Sequence, residues 1–91
     1  MRYSVFFEER AAKELAKIDR PYQLLIKKKI EQLAEDFESM SGNLKLLKGK
    51  YEYFRLRVGT YRVIFHKDAR KIIITIIRIG HRREVYRDLL G

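Results

Sequence analysis

Residues 51–79 read YEYFRLRVGTYRVIFHKDARKIIITIIRI, and this stretch decides the fold. Apolar and polar side chains alternate through residues 51–58, and Gly59-Thr60 interrupts the pattern. Alternation resumes over 61–67, Asp68-Ala69 interrupts again, and a β-branched run fills 70–79. Period-two alternation between short breaks is the signature of antiparallel strands joined by tight turns. A two-residue turn at Gly59-Thr60 sets Val58 opposite Tyr61, Arg57 opposite Arg62, Leu56 opposite Val63 and Arg55 opposite Ile64. A two-residue turn at Asp68-Ala69 would set Arg62 opposite Thr75 and Val63 opposite Ile74. One face then collects Leu56, Val58, Tyr61, Val63, Phe65, Ile72, Ile74 and Ile76, and calls for a cover. The other carries Arg55, Arg57, Arg62 and Thr75 above Ile64, Ile73 and Ile77. Like charges directly across a sheet cost ~0.2–1 kcal/mol per pair. Arg57 facing Arg62 therefore points to an anion such as phosphate, which would relieve the repulsion.

Upstream, residues 2–7 alternate as a short strand with Tyr3, Val5 and Phe7 on one side. Glu8 and Glu9 open a helix, where acidic side chains suit the positive end of the dipole. Ala11, Leu15 and Ile18 form its apolar stripe. Asp19-Arg20-Pro21 breaks the pattern: Asp19 can cap a second helix, and Pro21 fits a first helical turn because it has no N–H to leave unpaired. Ile26, Ile30, Leu33 and Phe37 then mark a long amphipathic helix ending near residues 39–42. The two helices should form an antiparallel hairpin, with Lys27-Lys28-Lys29 on its solvated face. Residues 43–50 read as a basic connector holding Lys45, Lys48 and Lys50, and Gly80 ends the last strand. Residues 82–90 fit a turn or two of helix or an extended tail. The expectation is one α+β domain over residues 1–91. It comprises a small, twisted, mostly antiparallel sheet of about four strands with an N-terminal helical hairpin on one face.

The charge is one-sided. Residues 1–43 balance eight Lys/Arg against eight Asp/Glu, whereas residues 44–91 carry thirteen against four and supply the whole net charge of +9. A field confined to one segment attracts a polyanion. With no cysteine there are no disulfides or thiolate metal sites, and two histidines are too few for a zinc site. Neither a metal nor another cofactor is expected. No apolar run approaches the roughly 18 residues of a membrane span. The opening MRYSVFFEER has no basic stretch leading into a long apolar one, so a signal peptide is not expected and a cytoplasmic location is.

Three stretches, FEERAAKELAKI, LKLLKGKYEYFRLRVGTYRVIF and RIGHRREVY, make the chain resemble the RelE/ParE superfamily of small toxins over essentially its full length. The resemblance implies a twisted sheet with a helical hairpin on one side. RelE-like members cut mRNA in the ribosomal A site and are neutralised by a cognate antitoxin. ParE-like members share the fold, poison DNA gyrase and lack the nuclease residues. On the RelE-like pattern, Arg62 in TYRVIF matches the central catalytic arginine, Arg82 the second arginine, and Tyr86 in REVY the tyrosine of the C-terminal segment. Arg55 falls where the family has a basic residue. Lys45, Lys48, Lys50, Arg57, His81 and Arg83 would contact RNA. The segment from Gly80 to Tyr86 is shorter than in some RelE members.

The implied chemistry is attack by the RNA's own 2′-OH on the adjacent phosphate. Arg62 suits the charge role, because guanidinium binds phosphate oxygens bidentately and stays charged. Arginine, with a pKa above ~12, is a poor proton shuttle. Proton transfer would fall to Tyr86, His81, or the RNA and ribosome, and Tyr86 could instead stack on a base. The implied partners are an acidic, RelB-like antitoxin, the ribosome and mRNA. The readings that remain beside the nuclease are a gyrase poison and a catalytically weak RNA-binding homologue.

Overall fold

The computed structural model describes residues 2–47 and 53–81. Lys48, Lys50, Glu52, Arg82, Arg83, Glu84 and Tyr86 lie outside the described residues. The elements in chain order are β1 (Ser4–Phe7), α1 (Glu9–Ala16), α2 (Arg20–Glu35), a 3₁₀ helix (Glu38–Asn43), β2 (Leu44–Leu47), β3 (Tyr53–Val58), β4 (Tyr61–Asp68) and β5 (Ile73–His81). The strands form one sheet in the order β1-β5-β4-β3-β2, parallel between β1 and β5 and antiparallel elsewhere. This is the α+β architecture expected, with one strand more at the edge. Part of the basic connector is strand β2, whose Lys45 pairs with Arg55.

One face of the sheet carries the core. Leu56, Val58, Val63, Phe65, Ile74, Ile76 and Ile79 meet Ala11 and Leu15 of α1 and Ile26, Ile30 and Leu33 of α2, all buried. Both helices lie on this side, joined through residues 17–19, and Gln23 Nε2 donates to the Leu15 carbonyl at 3.0 Å. The stripe at 26, 30 and 33 is the buried face of α2, but the helix stops at Glu35, short of the expected end. Phe37 lies beyond it, packed edge-on to Phe54 and Phe65 and covered by Lys67 Nζ 4.0 Å from its ring centre. Asp19 is the N-cap residue of α2 without a side-chain cap bond. No helix among the described residues is long and apolar enough to cross a membrane.

The β3–β4 register is the expected one: Val58 opposite Tyr61, Arg57 opposite Arg62, Leu56 opposite Val63, Arg55 opposite Ile64. Gly59 takes the left-handed conformation, φ 60°, that this tight turn demands. The β4–β5 register differs from expectation. Asp68 pairs with Ile73, leaving residues 69–72 as a four-residue loop rather than a two-residue turn. The Asp68 carboxylate closes that loop by accepting from the backbone N–H of Lys71 and of Arg70, each at 3.0 Å. The Lys71 bond, with that from Arg70, holds the Asp68 carboxyl below its usual pKa. Ile72, expected on the core face, sits in the loop at φ 58°, a costly conformation for a β-branched residue. Further along, Ile64 pairs with Arg78 and Phe65 with Ile76, so Ile77 is the extra residue of a β-bulge. Arg62 therefore faces Gly80, not Thr75, and Val63 faces Ile79, not Ile74.

Candidate nucleic-acid interface

β1 pairs with β5 only as far as Phe7 and Ile76, which leaves the later part of β5 open along that edge. Helix α1 follows β1 directly and covers this edge. The Glu14 carboxylate accepts from Ile79 N at 3.0 Å and from Arg78 Nε at 3.1 Å, with Arg78 Nη2 at 3.1 Å. A charged helix residue thus satisfies a strand edge that would otherwise face solvent. Arg78 is only 7% exposed, so this ion pair is sheltered from screening.

The sheet face opposite the helices carries side chains in cross-strand rows. Nearest the Gly59 turn are Arg57, Arg62 and Gly80. The next row holds Lys45, Arg55, Ile64 and the Glu14-paired Arg78. Beyond it come Tyr53, His66, Thr75 and Phe6. Lys45 facing Arg55 and Arg57 facing Arg62 make two like-charged pairs on this face, beside an Arg78 that Glu14 neutralises. Arg57 and Lys45 are exposed, and Arg55 is half-buried, its Nε enclosed and without a hydrogen-bond partner among the described residues. An enclosed, unpaired donor of this kind carries a desolvation cost.

Arg62 is 8% exposed, and its Nη1 donates to the Gly59 carbonyl at 2.8 Å and to the Tyr61 carbonyl at 2.9 Å. Its guanidinium is therefore folded onto the turn and positioned by it, rather than splayed into solvent beside Thr75.

His81 sits apart from this group. It pairs with Tyr61, stacks on that ring at 4.6 Å between centroids and lines a concavity with Glu14, Lys17 and Asp19, on the side that carries α1. Arg55, Arg57, Arg62 and Lys45 are thus brought together, and His81 is not among them. Sequence reasoning missed the row of Tyr53, His66 and Thr75. With Glu8 and Ile77 these residues line a cleft of about 300 Å³ on the same face. The alternation of β3 and β4 contained that signal, because Tyr53 and His66 share the parity of Arg55 and Ile64. Elsewhere, on the helical side, Val5, Phe7, Ala12, Leu15 and Ile30 line an apolar groove of about 450 Å³. No group of three or more potential metal-ligating side chains exists among the described residues.

Comparison with known proteins bears on what such a face is for. The family described as the ParE toxin of type II toxin–antitoxin systems matches residues 5–86. The mRNA interferase toxin RelE of Escherichia coli strain K12 is 30% identical over 88 residues, covering 94% of this chain and 92% of that protein. A chain of the intact E. coli RelBE toxin–antitoxin complex superposes with a TM-score of 0.73 at 26% identity, over 87% of this chain and 95% of that one. The archaeal RelE–RelB complex of Pyrococcus horikoshii gives a TM-score of 0.79 at 20% identity, over 93% of this chain and 100% of that one, a likeness of fold alone. The chain belongs to the RelE/ParE superfamily of type II toxin–antitoxin toxins, on its RelE-like branch.

Proposed function

We propose that the protein is a ribosome-dependent mRNA endonuclease that acts in the cytoplasm by promoting attack of the RNA 2′-OH on the neighbouring phosphate. The observation that carries this reading is the cationic double row, Arg57–Arg62 and Arg55–Lys45, on the sheet face left uncovered by the helices. Two like-charged cross-strand pairs are unfavourable in the free protein, and a phosphodiester held between the cations relieves the repulsion. Arg62 acts as the transition-state cation. The turn carbonyls hold it in place, so little reorganisation accompanies the reaction. Arg55 and Arg82 add field, while Lys48, Lys50, Arg57 and Arg83 bind the strand. Tyr86 stacks on or orients a base, and protons pass through the RNA and the ribosome. Positioning by the ribosome supplies much of the acceleration, which predicts weak cleavage of free RNA.

The partner in the resting cell is an acidic, RelB-like antitoxin that covers the same cations and competes with RNA. The match to the ParE description keeps a second reading in play, poisoning of DNA gyrase. One experiment decides between them. Toe-printing of ribosome-bound message with purified protein should show new stops within the A-site codon, and gyrase-dependent DNA cleavage should be absent. Gyrase cleavage without toe-print stops would reverse the assignment.

A further inference from the structure

The cleft beyond the arginine rows has a different chemistry from the cationic face. Tyr53, His66 and Thr75 pair in one row across β3, β4 and β5, and Phe6 of β1, 57% exposed, continues it. The Tyr53 and His66 rings meet edge to face at 5.9 Å, and Ile77, the bulged residue, helps line the cleft. A bulge beside a concavity re-aims a side chain that regular pairing would send elsewhere. Aromatic rings beside a cationic track suit the stacking of single-stranded bases, whose phosphates the cations hold. Tyr53 lies two residues from Arg55 on the same side of β3, about 7 Å away along the strand. A base can therefore enter this row while its backbone stays on Arg55 and Lys45.

Glu8 gives the cleft selectivity. It is an exposed carboxylate, makes no cap bond to α1, and lines the cleft together with the aromatic pair. A carboxylate on a surface that binds a polyanion is electrostatically unfavourable unless it accepts a specific donor. Adenine, cytosine and guanine offer an exocyclic amino group, whereas uracil offers two carbonyl oxygens flanking one N–H.

Resting on the RNA-cleaving reading above, we propose that the cleft formed by Glu8, Tyr53, His66, Thr75 and Ile77 is a nucleobase subsite. It takes a base adjacent to the arginine-held phosphate and prefers amino-bearing bases to uracil.

The test needs no cleavage. His66 and His81 are the only histidines, so their ring signals are resolved and assigned with a single His81→Asn variant. The full-length protein is titrated with 2′-O-methyl hexaadenylate, with 2′-O-methyl hexauridylate, and with an abasic strand of the same length. Hexaadenylate should shift the His66 ring signal upfield and bind about three- to tenfold tighter than hexauridylate, a modest ratio because Glu8 is exposed. The abasic strand should leave His66 nearly unmoved. Glu8→Gln, which adds an amide donor, should bring the two affinities close to equal. An unmoved His66 at millimolar hexaadenylate, an equal shift with the abasic strand, or an unchanged preference in Glu8→Gln would overturn the proposal. Toe-printing runs in parallel. Cleavage without a His66 response removes the subsite alone, and a His66 response without cleavage removes the nuclease alone.

Discussion

Arg62→Ala should damage two separable things. Arg62 is 8% exposed, and one guanidinium nitrogen reaches two turn carbonyls, at 2.8 and 2.9 Å. Both bonds share that nitrogen, so they count as about one charge-assisted bond, with a net worth of roughly 1.5–3 kcal/mol. No core cavity opens, because Arg62 lies on the face away from the helices. A loss of about 2 kcal/mol corresponds to a fall in melting temperature of roughly 8–16 °C for a domain of this size. Loss of a charged transition-state donor should cost on the order of 10²–10³ in rate. Calorimetry and single-turnover cleavage of ribosome-bound message measure the two effects separately, the second at a temperature where the variant is still folded. Arg62→Lys should recover part of the stability and little of the rate, because an ammonium cannot form the bidentate fork. Arg57→Ala, at an exposed position on the opposing strand, is the control: it removes the like-charged partner of Arg62 and should leave stability unchanged or raise it by up to ~1 kcal/mol. An unchanged melting temperature in Arg62→Ala would refute the anchoring role. A wild-type rate in the folded variant would refute its place in the site.

Other outcomes follow from particular contacts. Glu14→Ala strips the counter-charge from buried Arg78 and a partner from Ile79 N. Breaking such pairs costs ~3–5 kcal/mol, and the 23% exposure of the Glu14 side chain argues for about 2–3, read by denaturant unfolding. A loss under about 1 kcal/mol would mean that α1 does not secure the β5 edge. Asp68→Ala should destabilise the 69–72 loop at neutral pH. The lowered folded-state pKa means that the Asp68 contribution is full above the ordinary carboxylate range and fades as pH falls through the lowered value. The gap in melting temperature between wild type and variant should therefore close in acid, and a gap that widened there would contradict the bonding described. Association with the acidic antitoxin should slow as salt rises, measured by stopped flow, and a rate flat across ionic strength would count against the electrostatic account.

The β3–β4 hairpin was legible because Gly59-Thr60 fixes a two-residue turn, and that turn dictates every cross-strand partner, Arg57 and Arg62 included. The β4–β5 register was not. Closure of the loop depends on Asp68 taking two backbone N–H groups and on Ile72 adopting a left-handed conformation that β-branched residues avoid. The longer loop slides β5 by an even number of positions, so Ile73 to Ile76 still face the sides expected of them. The bulge at Ile77 then flips the parity, which brings Ile79 into the core and Gly80 opposite Arg62. Nothing in a run of β-branched residues marks where such a bulge falls. β2 escaped notice because it spans only four residues, too few for alternation to stand out from a basic connector. The cationic face was foreseen from the charge pattern. The turn-anchored state of Arg62 was not, because a side chain's return to its own turn carbonyls leaves no periodic trace. The pairing of Glu14 with β5 was equally hidden, since sequence places the carboxylate on a helix without saying which strand edge is left open beneath it.

The most direct test of the account is the chemistry of the cut ends. Message cleaved on ribosomes by the purified protein should carry 2′,3′-cyclic phosphate or 3′-phosphate at the upstream fragment and 5′-OH at the downstream one, as attack by the 2′-OH on an arginine-held phosphate requires. Fragments ending in 3′-OH and 5′-phosphate would contradict it.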